Sequence, residues 1–123
     1  MSYMSFPNIS FKATNTESDE VLQDLVTEKF LSLDKFIGEE TDVKCEVEFE
    51  KETASQTGDI FRVEVNLWLH GNLNRVEANS ESFEKSIDIV RNEMGKVLRR
   101  AHKKRHSLVK RGGQKIKQML RLD

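Results

Sequence analysis

The sequence has little of what several protein classes require. Its 123 residues include one cysteine, Cys45, and one proline, Pro7. A single cysteine excludes an internal disulfide framework and a multi-cysteine zinc site, which fits a reducing compartment. No stretch approaches the roughly 20 apolar residues of a membrane span, and residues 1–11 lack the basic start and apolar run of a signal peptide. The length suits a single domain, and we predict a cytoplasmic protein.

An excess of charge of either sign is also missing, since 20 Lys+Arg oppose 21 Asp+Glu for a net charge of −1. The balance hides a division after Val90. Residues 91–123 contain 12 basic and 2 acidic residues, a net +10, whereas residues 1–90 contain 8 and 19, a net −11. Such asymmetry indicates nucleic-acid or membrane contact, or a basic tail. It predicts a dipolar molecule that turns its basic side to a polyanion and holds an acidic sheet face away.

Two hydrophobic periods alternate along the chain. Period two predicts strands over 9–13, 43–49, 61–69 and 73–78, and helical spacing predicts helices over 22–36 and 83–101. Thr16 and Ser80 are the predicted helix N-caps, and Gly38 is placed to end the first helix. Gly71-Asn72 is predicted as a two-residue hairpin turn.

This order predicts an α+β fold, a two-layer β-α-β-β-β-α sandwich. Every strand has one apolar face, so both helices must cover the same face of a four-stranded mixed sheet. The first crossover places the first strand parallel to a neighbour, and the last three strands form an antiparallel meander. We predict a folded domain over 1–106 and a basic, flexible tail over 107–123, in which Gly112-Gly113 stops the helix.

Cations gather on one side of the last predicted helix. Successive residues turn by about 100°, so the apolar series from Phe83 to Ala101 forms one stripe. The opposite side is predicted to carry Lys96, Arg99, Arg100, Lys103 and Lys104. Such a row suits a phosphate backbone. The alternative is a solvated face whose cations satisfy the helix dipole, but acids are scarce within the row, which favours RNA binding.

Other candidate sites are weaker. His102 and His106 are i,i+4 neighbours without a third ligand nearby in the sequence, so we predict no metal site. Cys45 falls on the apolar side of its strand, as a buried small hydrophobe. Trp68 falls on the opposite, polar side of its strand, where it is a candidate anchor for a partner. No phosphate loop, nucleophile elbow or metalloprotease spacing occurs, so we predict no catalytic residue, no cofactor and no enzyme.

Two stretches carry a more specific signal. Residues 22–36 place apolar positions before Leu33-Asp34-Lys35-Phe36, and Ser82-Phe-Glu-Lys-Ser-Ile-Asp88 precedes the basic run Lys96-Val-Leu-Arg-Arg100. In this order and spacing they resemble the ribosome hibernation promoting factors and ribosome-associated inhibitors, short cold-shock and stationary-phase proteins of bacteria. The resemblance covers residues 8 to about 105, and the family's fold is the same sandwich, similar to double-stranded RNA-binding domains.

The resemblance implies a function and a set of contacts. Members bind the small ribosomal subunit where messenger and transfer RNAs would sit, so this chain is expected to occlude those sites and to preserve idle ribosomes under stress. The residues implied to face ribosomal RNA are Lys29, Lys35, Lys96, Arg99, Arg100, Lys103 and Lys104. The chain departs from the family pattern at Gln23, Ser82, Glu84 and Glu93, which weakens that contact set. The chain ends before the position of the long form's C-terminal dimerisation domain, so that route to ribosome pairing is expected to be absent. The protein is expected to be monomeric off the ribosome.

Two other functions stay open at this point. One is a general binder of double-stranded RNA, and the other is a protein-interaction module that uses the exposed sheet face around Trp68 while the basic helix only solubilises the protein. No membrane and no small-molecule substrate is expected for any of them.

Overall fold

The computed structural model describes residues 6–17, 19–38, 40–53 and 58–111, with side chains described as far as Arg105. The elements are β1 (Ile9–Thr14), α1 (Glu20–Phe30) with a 3-10 turn (Leu31–Phe36), β2 (Lys44–Lys51), β3 (Phe61–Leu69), β4 (Asn72–Ser80) and α2 (Phe83–Arg111). The predicted order of strands and helices is therefore confirmed.

The four strands form one mixed sheet in the order β1-β2-β3-β4. β1 pairs parallel to β2, with Phe11 opposite Val47. β2 and β3 pair antiparallel, with Val47 opposite Val65, and β3 and β4 pair antiparallel, with Val65 opposite Val76. The meander and the parallel first strand are thus as the sequence predicts.

The core lies between the sheet and the helices, because side chains alternate along each strand. Val47, Phe49, Val63 and Val65 are buried, and Val76 packs against them from β4. The helices contribute a larger buried set, which comprises Leu22, Val26, Phe30, Leu33, Phe83, Ile87, Val90, Met94 and Leu98. Both helices therefore cover the same face of the sheet.

The first helix has its N-cap three residues later than predicted and changes form before it ends. Its N-cap is Asp19, whose side chain accepts a hydrogen bond from Val21 N at 2.8 Å. The prediction of Thr16 is wrong, because Asp19 stands directly before the first helical turn and satisfies one of its orphan N–H groups. The continuous helix predicted over 22–36 is α-helical only to Phe30 and then tightens into the 3-10 turn. Gly38, with φ +62°, follows its end as predicted.

The hairpin turn between β3 and β4 is His70-Gly71, one residue earlier than predicted. Leu69 pairs with Asn72, and the two residues between them have φ of +55° and +78°. Positive φ at both central positions gives the strands the twist of a tight hairpin, and glycine adopts it without strain at the second position. Val76 and Ala78 still face inward, because the error concerned the turn and left the alternation unchanged.

The cap of α2 is Ser82 rather than the predicted Ser80. Ser82 Oγ accepts from Lys85 N at 3.1 Å, in the geometry of a helix N-cap. Ser80 is buried and its hydroxyl lies 2.7 Å from Ser86 Oγ, which donates to Phe61 O at 2.6 Å. Ser80 and Ser86 therefore tie the start of α2 to the sheet instead of capping it.

The last helix continues beyond the sheet. α2 runs to Arg111, across the predicted boundary between residues 106 and 107, and the rest of the predicted tail, 112–123, lies outside the described residues. The division of the chain at this point stays a prediction. Within the described residues, none of the helices is long and apolar enough to cross a membrane.

Candidate nucleic-acid interface

The two helices lie side by side and run in the same direction. Lys29 Nζ contacts Asp88 Oδ1 at 2.8 Å, and Arg91 Nε donates to Ser32 Oγ at 3.1 Å. One turn further along, Leu33 lies against Gly95. The rings of Phe36 and His102 then meet edge to face at 6.1 Å. Because the contacts advance together along both helices, α1 and α2 are parallel and their C-terminal ends meet at one end of the molecule.

Four of the predicted RNA-binding residues lie together at that end. Arg99, Arg100, Lys103 and Lys104 are exposed on consecutive turns of α2. Among the described residues, none of these four side chains forms an ion pair with a carboxylate. The charges are therefore solvated but not neutralised, so they are available to bind the phosphates of a nucleic acid.

The other three predicted residues already have partners. Lys29 forms the ion pair with Asp88, and Lys96 Nζ lies 3.4 Å from Glu93 Oε2 one turn earlier. Lys35 lies over the ring of Phe36, 5.4 Å from its centroid. The structure thus brings all seven predicted residues to the helical layer. Among the described residues, Lys29 and Lys96 are paired with carboxylates, whereas Lys35 and the last four are not.

The projection of α2 beyond the sheet widens this basic surface. Ala101 continues the apolar stripe in the sequence, yet it is exposed, as are residues 102–105. These turns lie at the margin of the fold, where Ala101, His102 and Arg105 line a recess together with Leu69 and Asn72 at the β3–β4 turn. Arg105 is exposed there as well. We define the basic end as Arg99, Arg100, Lys103, Lys104 and Arg105.

Arg91 belongs to the basic segment 91–123 but is not among the predicted RNA-binding residues. Its guanidinium donates to Ser32 Oγ and, at 3.0 Å, to Asn92 Oδ1. Both acceptors are uncharged, so Arg91 keeps its charge while it is held in the groove between α1 and α2. The sequence signal was available in retrospect: Arg91 is placed on the helix side that carries Asp88 and Gly95, the side facing α1.

On the opposite face of the molecule, the outer sheet face, cations are paired with glutamates. Arg62 is only 14% exposed and lies at 3.0 Å from Glu50, 2.6 Å from Glu64 and 2.9 Å from Glu77. Partial burial by itself would lower the pKa of Arg62, but the hydrogen bonds and charges of Glu64 and Glu77 raise it well above its ordinary value. Arg62 is therefore a fixed cation around which the strands' carboxylates converge.

Glu64 is the most enclosed of these carboxylates. Its partial burial would raise its pKa, but hydrogen bonds from Arg62 and Asn66 and the charges of Arg62 and Arg75 hold the pKa below the usual value. Arg75 Nε lies 3.1 Å from Glu64 Oε2 and also donates to Asn66 Oδ1 at 2.7 Å. The glutamates around Arg62 and Arg75 therefore form one ion-pair network.

The excess of negative charge therefore lies elsewhere than predicted. The outer sheet face carries five glutamates, but it also carries Lys12, Lys44, Arg62 and Arg75. The acids without a cation partner among the described residues gather where the two helices begin, and they include Glu17, Asp19, Glu20, Asp24 and Glu84. Glu81 lies at the same end and pairs with Lys85 at 2.9 Å. The charge separation runs along the helices, from this acidic end to the basic end. The prediction of an acidic sheet face is wrong, because cross-strand cations that alternate with the glutamates pair with them.

The remaining candidates are placed as follows. Cys45 is fully buried, and burial, followed by the nearby charge of Glu46, raises the pKa of its thiol to about 12, so it is no nucleophile. Trp68 is half-buried on the outer sheet face with Lys44 Nζ 5.3 Å from its ring centroid. Beside it, Leu73 is one of the exposed large hydrophobic residues. Within the described part of the chain, no group of three or more His, Cys, Asp or Glu is arranged to hold a metal ion.

Comparison with known proteins gives a family match and a shared fold. Residues 9–106 match the family model described as Sigma 54 modulation protein / S30EA ribosomal protein. The N-terminal domain of Protein Y from Thermus thermophilus is 22% identical, with a TM-score of 0.63 over 76% of this chain and 98% of that one. A ribosomal subunit interface protein from Coxiella burnetii is 15% identical, with a TM-score of 0.63 over 76% and 96% of the two chains. No curated protein matches the chain.

Proposed function

Because the chain belongs to the Sigma 54 modulation protein / S30EA ribosomal protein family, whose members are ribosome-associated hibernation proteins, we propose that it binds the small ribosomal subunit through its helical layer. In this proposal the basic end contacts ribosomal RNA. The folded domain then occupies the space of the messenger and transfer RNAs, blocks translation and preserves the idle ribosome under stress. The family is non-enzymatic in general, and the proposed action is occupancy rather than catalysis.

The observation that carries this proposal is the unpaired charge at the basic end. Arg99, Arg100 and Lys103 project from a helix that is anchored to the sheet by Ile87, Val90 and Met94, so their positions are fixed relative to the domain. Fixed cations lose less conformational freedom on binding phosphates than cations on a flexible chain. Each phosphate that they neutralise also releases condensed counterions.

The lengthwise charge separation supports a single orientation on the RNA. The acidic end at the start of the helices would be repelled by phosphates, and the basic end would be attracted. Lys35 lies beside the basic end and extends it onto the first helix. Lys29 and Lys96 contribute less in this proposal, because Asp88 and Glu93 already compensate them.

The departures from the family pattern have local explanations that leave the proposal intact. Ser82 replaces the leading acid of the second-helix motif, and its hydroxyl still caps α2. Glu84 is exposed in the first turn of α2, at the acidic end and away from the basic end. Glu93 reduces the contribution of Lys96. The contacts that remain are concentrated near the C-terminal end of α2.

A sedimentation experiment with matched charge changes tests the proposal. We expect the purified chain to co-sediment with small ribosomal subunits at low salt, and the triple variant Arg99→Glu, Arg100→Glu, Lys103→Glu to stay in the supernatant. The control is Lys12→Glu, Lys44→Glu, Lys51→Glu, which changes the net charge equally at exposed positions on β1 and β2. Equal sedimentation of the two triple variants would contradict the proposal, and so would a wild-type chain that fails to sediment.

Binding to plain duplex RNA distinguishes a general binder of double-stranded RNA from a ribosome-binding protein. The parallel helices with a one-sided basic surface also fit a general binder of double-stranded RNA, which recognises shape and phosphates. Equal affinity for plain duplex RNA and for small subunits would favour this second function. Salt-insensitive binding to a protein that is lost in Trp68→Ala would instead favour the sheet face, where Trp68 and Leu73 lie together.

A further inference from the structure

The last strand of the sheet has an open side. Within the part of the chain that the structure describes, β4 pairs only with β3, and its nine residues pair without a bulge. Natural edge strands are commonly blunted by proline, lysine, bulges or short length. β1, the other edge, is six residues long, follows Pro7 and carries Lys12. β4 is nine residues long and has no proline, lysine or bulge, and its charged residues are Arg75 and Glu77.

The turn fixes which backbone groups of β4 face the open side. In a two-residue hairpin the residues that flank the turn, here Leu69 and Asn72, form a hydrogen-bonded pair. Alternation from Asn72 then directs the N–H and C=O groups of the even-numbered residues toward β3. The backbone groups of Leu73, Arg75, Glu77 and Asn79 therefore point outward and are available to another strand.

The side chains on this edge complement a second copy of themselves. An antiparallel pairing centred on Val76 places Arg75 opposite the partner's Glu77, and Glu77 opposite the partner's Arg75. Directly opposed charges of unlike sign stabilise a strand pair. Arg75 already lies 3.1 Å from Glu64 and Glu77 lies 2.9 Å from Arg62, but the side chain of Arg75 is 57% exposed and that of Glu77 is 53% exposed. The contact with a second copy would therefore extend the existing ion-pair network across the edge.

The helix above the edge is compatible with the same two-fold arrangement. Asp88 and Arg91 face α1, so the other side of α2 overhangs the open edge of β4. Ile89 and Val97 lie on that side and stay half-exposed. A two-fold axis also makes the two α2 helices antiparallel. The two basic ends then point in opposite directions, and each lies on the side where the partner's helices begin.

We propose that the chain forms a symmetric dimer in which the β4 strands of two copies pair antiparallel around Val76 and join the two sheets into one of eight strands. Arg75 and the partner's Glu77 form the specific contact, and Ile89 and Val97 pack against their counterparts. This differs from the monomer that the sequence predicts. The dimer is independent of the ribosome proposal, because none of its contacts uses the basic end.

The charge pattern permits a mixing experiment. In Arg75→Glu every one of these cross-strand contacts becomes glutamate opposite glutamate, and in Glu77→Arg every one becomes arginine opposite arginine. A heterodimer of the two variants places a glutamate of one chain opposite an arginine of the other at both contacts. We expect sedimentation equilibrium to show the wild type as a dimer, each variant alone as a monomer, and the equimolar mixture as a dimer again.

Several results would overturn the dimer. A wild type that stays monomeric at high micromolar concentration contradicts it, and so does a mixture that stays monomeric while both variants remain folded by circular dichroism. If either variant unfolds, Ile89→Asp replaces it in the test of dimerisation. This half-exposed position on α2 lies outside the buried core, so the variant is expected to fold. An Ile89→Asp chain that dimerises as strongly as the wild type would also overturn the proposal. Small-subunit sedimentation of the monomeric variants separately tests the ribosome proposal.

Discussion

Arg62 and Arg99 stand for two opposite uses of positive charge in the same domain. Arg62 is enclosed on the outer sheet face and lies within 3.0 Å of three glutamates. Arg99 is exposed at the basic end and has no ion pair with a described carboxylate. One cation is used within the fold, and the other is left available to something outside it.

The difference teaches how to separate structural from functional charge in this chain. An enclosed cation such as Arg62, whose carboxylates are supplied by neighbouring strands, stabilises the domain and has little charge left for a partner. A cation held on an anchored helix without such carboxylates adds nothing to stability and keeps its full attraction for a polyanion. Substitutions in the two regions should therefore fail in different assays.

The largest expected effect on stability is at the centre of the sheet face. Arg62→Ala leaves four glutamates without their shared cation and should lower the free energy of unfolding by about 3 kcal/mol. Arg99→Ala should change it by less than about 0.5 kcal/mol, as expected of an exposed position without partners. Urea unfolding of both variants measures this. Equal losses of stability at the two positions would remove the distinction between the regions.

The next effect is a pH dependence on the sheet face. Because the folded-state pKa of Glu64 is lowered below its ordinary value of 4.5, its contribution to stability is full above that value and is lost as the pH falls through the lower folded pKa. Glu64→Gln removes a charge-assisted hydrogen bond, so we expect it to be about 1–2 kcal/mol less stable than the wild type at pH 7.

The gap between wild type and Glu64→Gln should narrow as the pH is lowered from about 5 toward about 3, because the wild-type carboxylate becomes protonated. Urea unfolding across this range follows it. Glu84→Gln is the control, since Glu84 is exposed and has no described ion pair. A gap that stays constant would show that the charge of Glu64 is not what stabilises the fold.

The smallest effect concerns the border between the two regions. Asp88→Asn breaks the ion pair with Lys29, in which the Asp88 side chain is 54% exposed, and should cost at most about 1 kcal/mol of stability. It also frees Lys29 and removes a negative charge near the proposed RNA surface. We therefore expect slightly tighter binding to small subunits, measured by filter binding. Weaker binding would indicate that the Lys29–Asp88 pair itself positions the helices for RNA.

How far the sequence predicts this molecule depends on the range of the interaction. The alternation of Val47 and Phe49 with glutamates and the helical spacing of Ile87, Val90 and Met94 are local patterns, and they predicted the strands, the helices and the buried faces. The helix caps and the turn were missed by one to three residues. Several neighbouring residues offer similar cap oxygens or turn propensity, and only the packed chain selects Asp19, Ser82 or His70-Gly71.

The charge pattern needed the three-dimensional structure for a different reason. Arg62 gathers Glu50, Glu64 and Glu77 from three strands, and strand register is not visible in the sequence. The lengthwise separation of charge required the parallel packing of the helices, which rests on contacts such as Lys29–Asp88. The cations of the last helix were predicted because they are consecutive on one element. Which of them are unpaired became clear only from the contacts.

The salt dependence of small-subunit binding tests the central distinction most directly. The triple variant Arg99→Gln, Arg100→Gln, Lys103→Gln should reduce the slope of log K against log salt by about 2 to 3, because each cation that contacts a phosphate contributes about 0.7 to 0.9. The matched triple variant Lys12→Gln, Lys44→Gln, Lys51→Gln should leave the slope unchanged. Equal slopes for both variants would contradict the account, because the basic end would then be no more engaged with RNA than these lysines of β1 and β2.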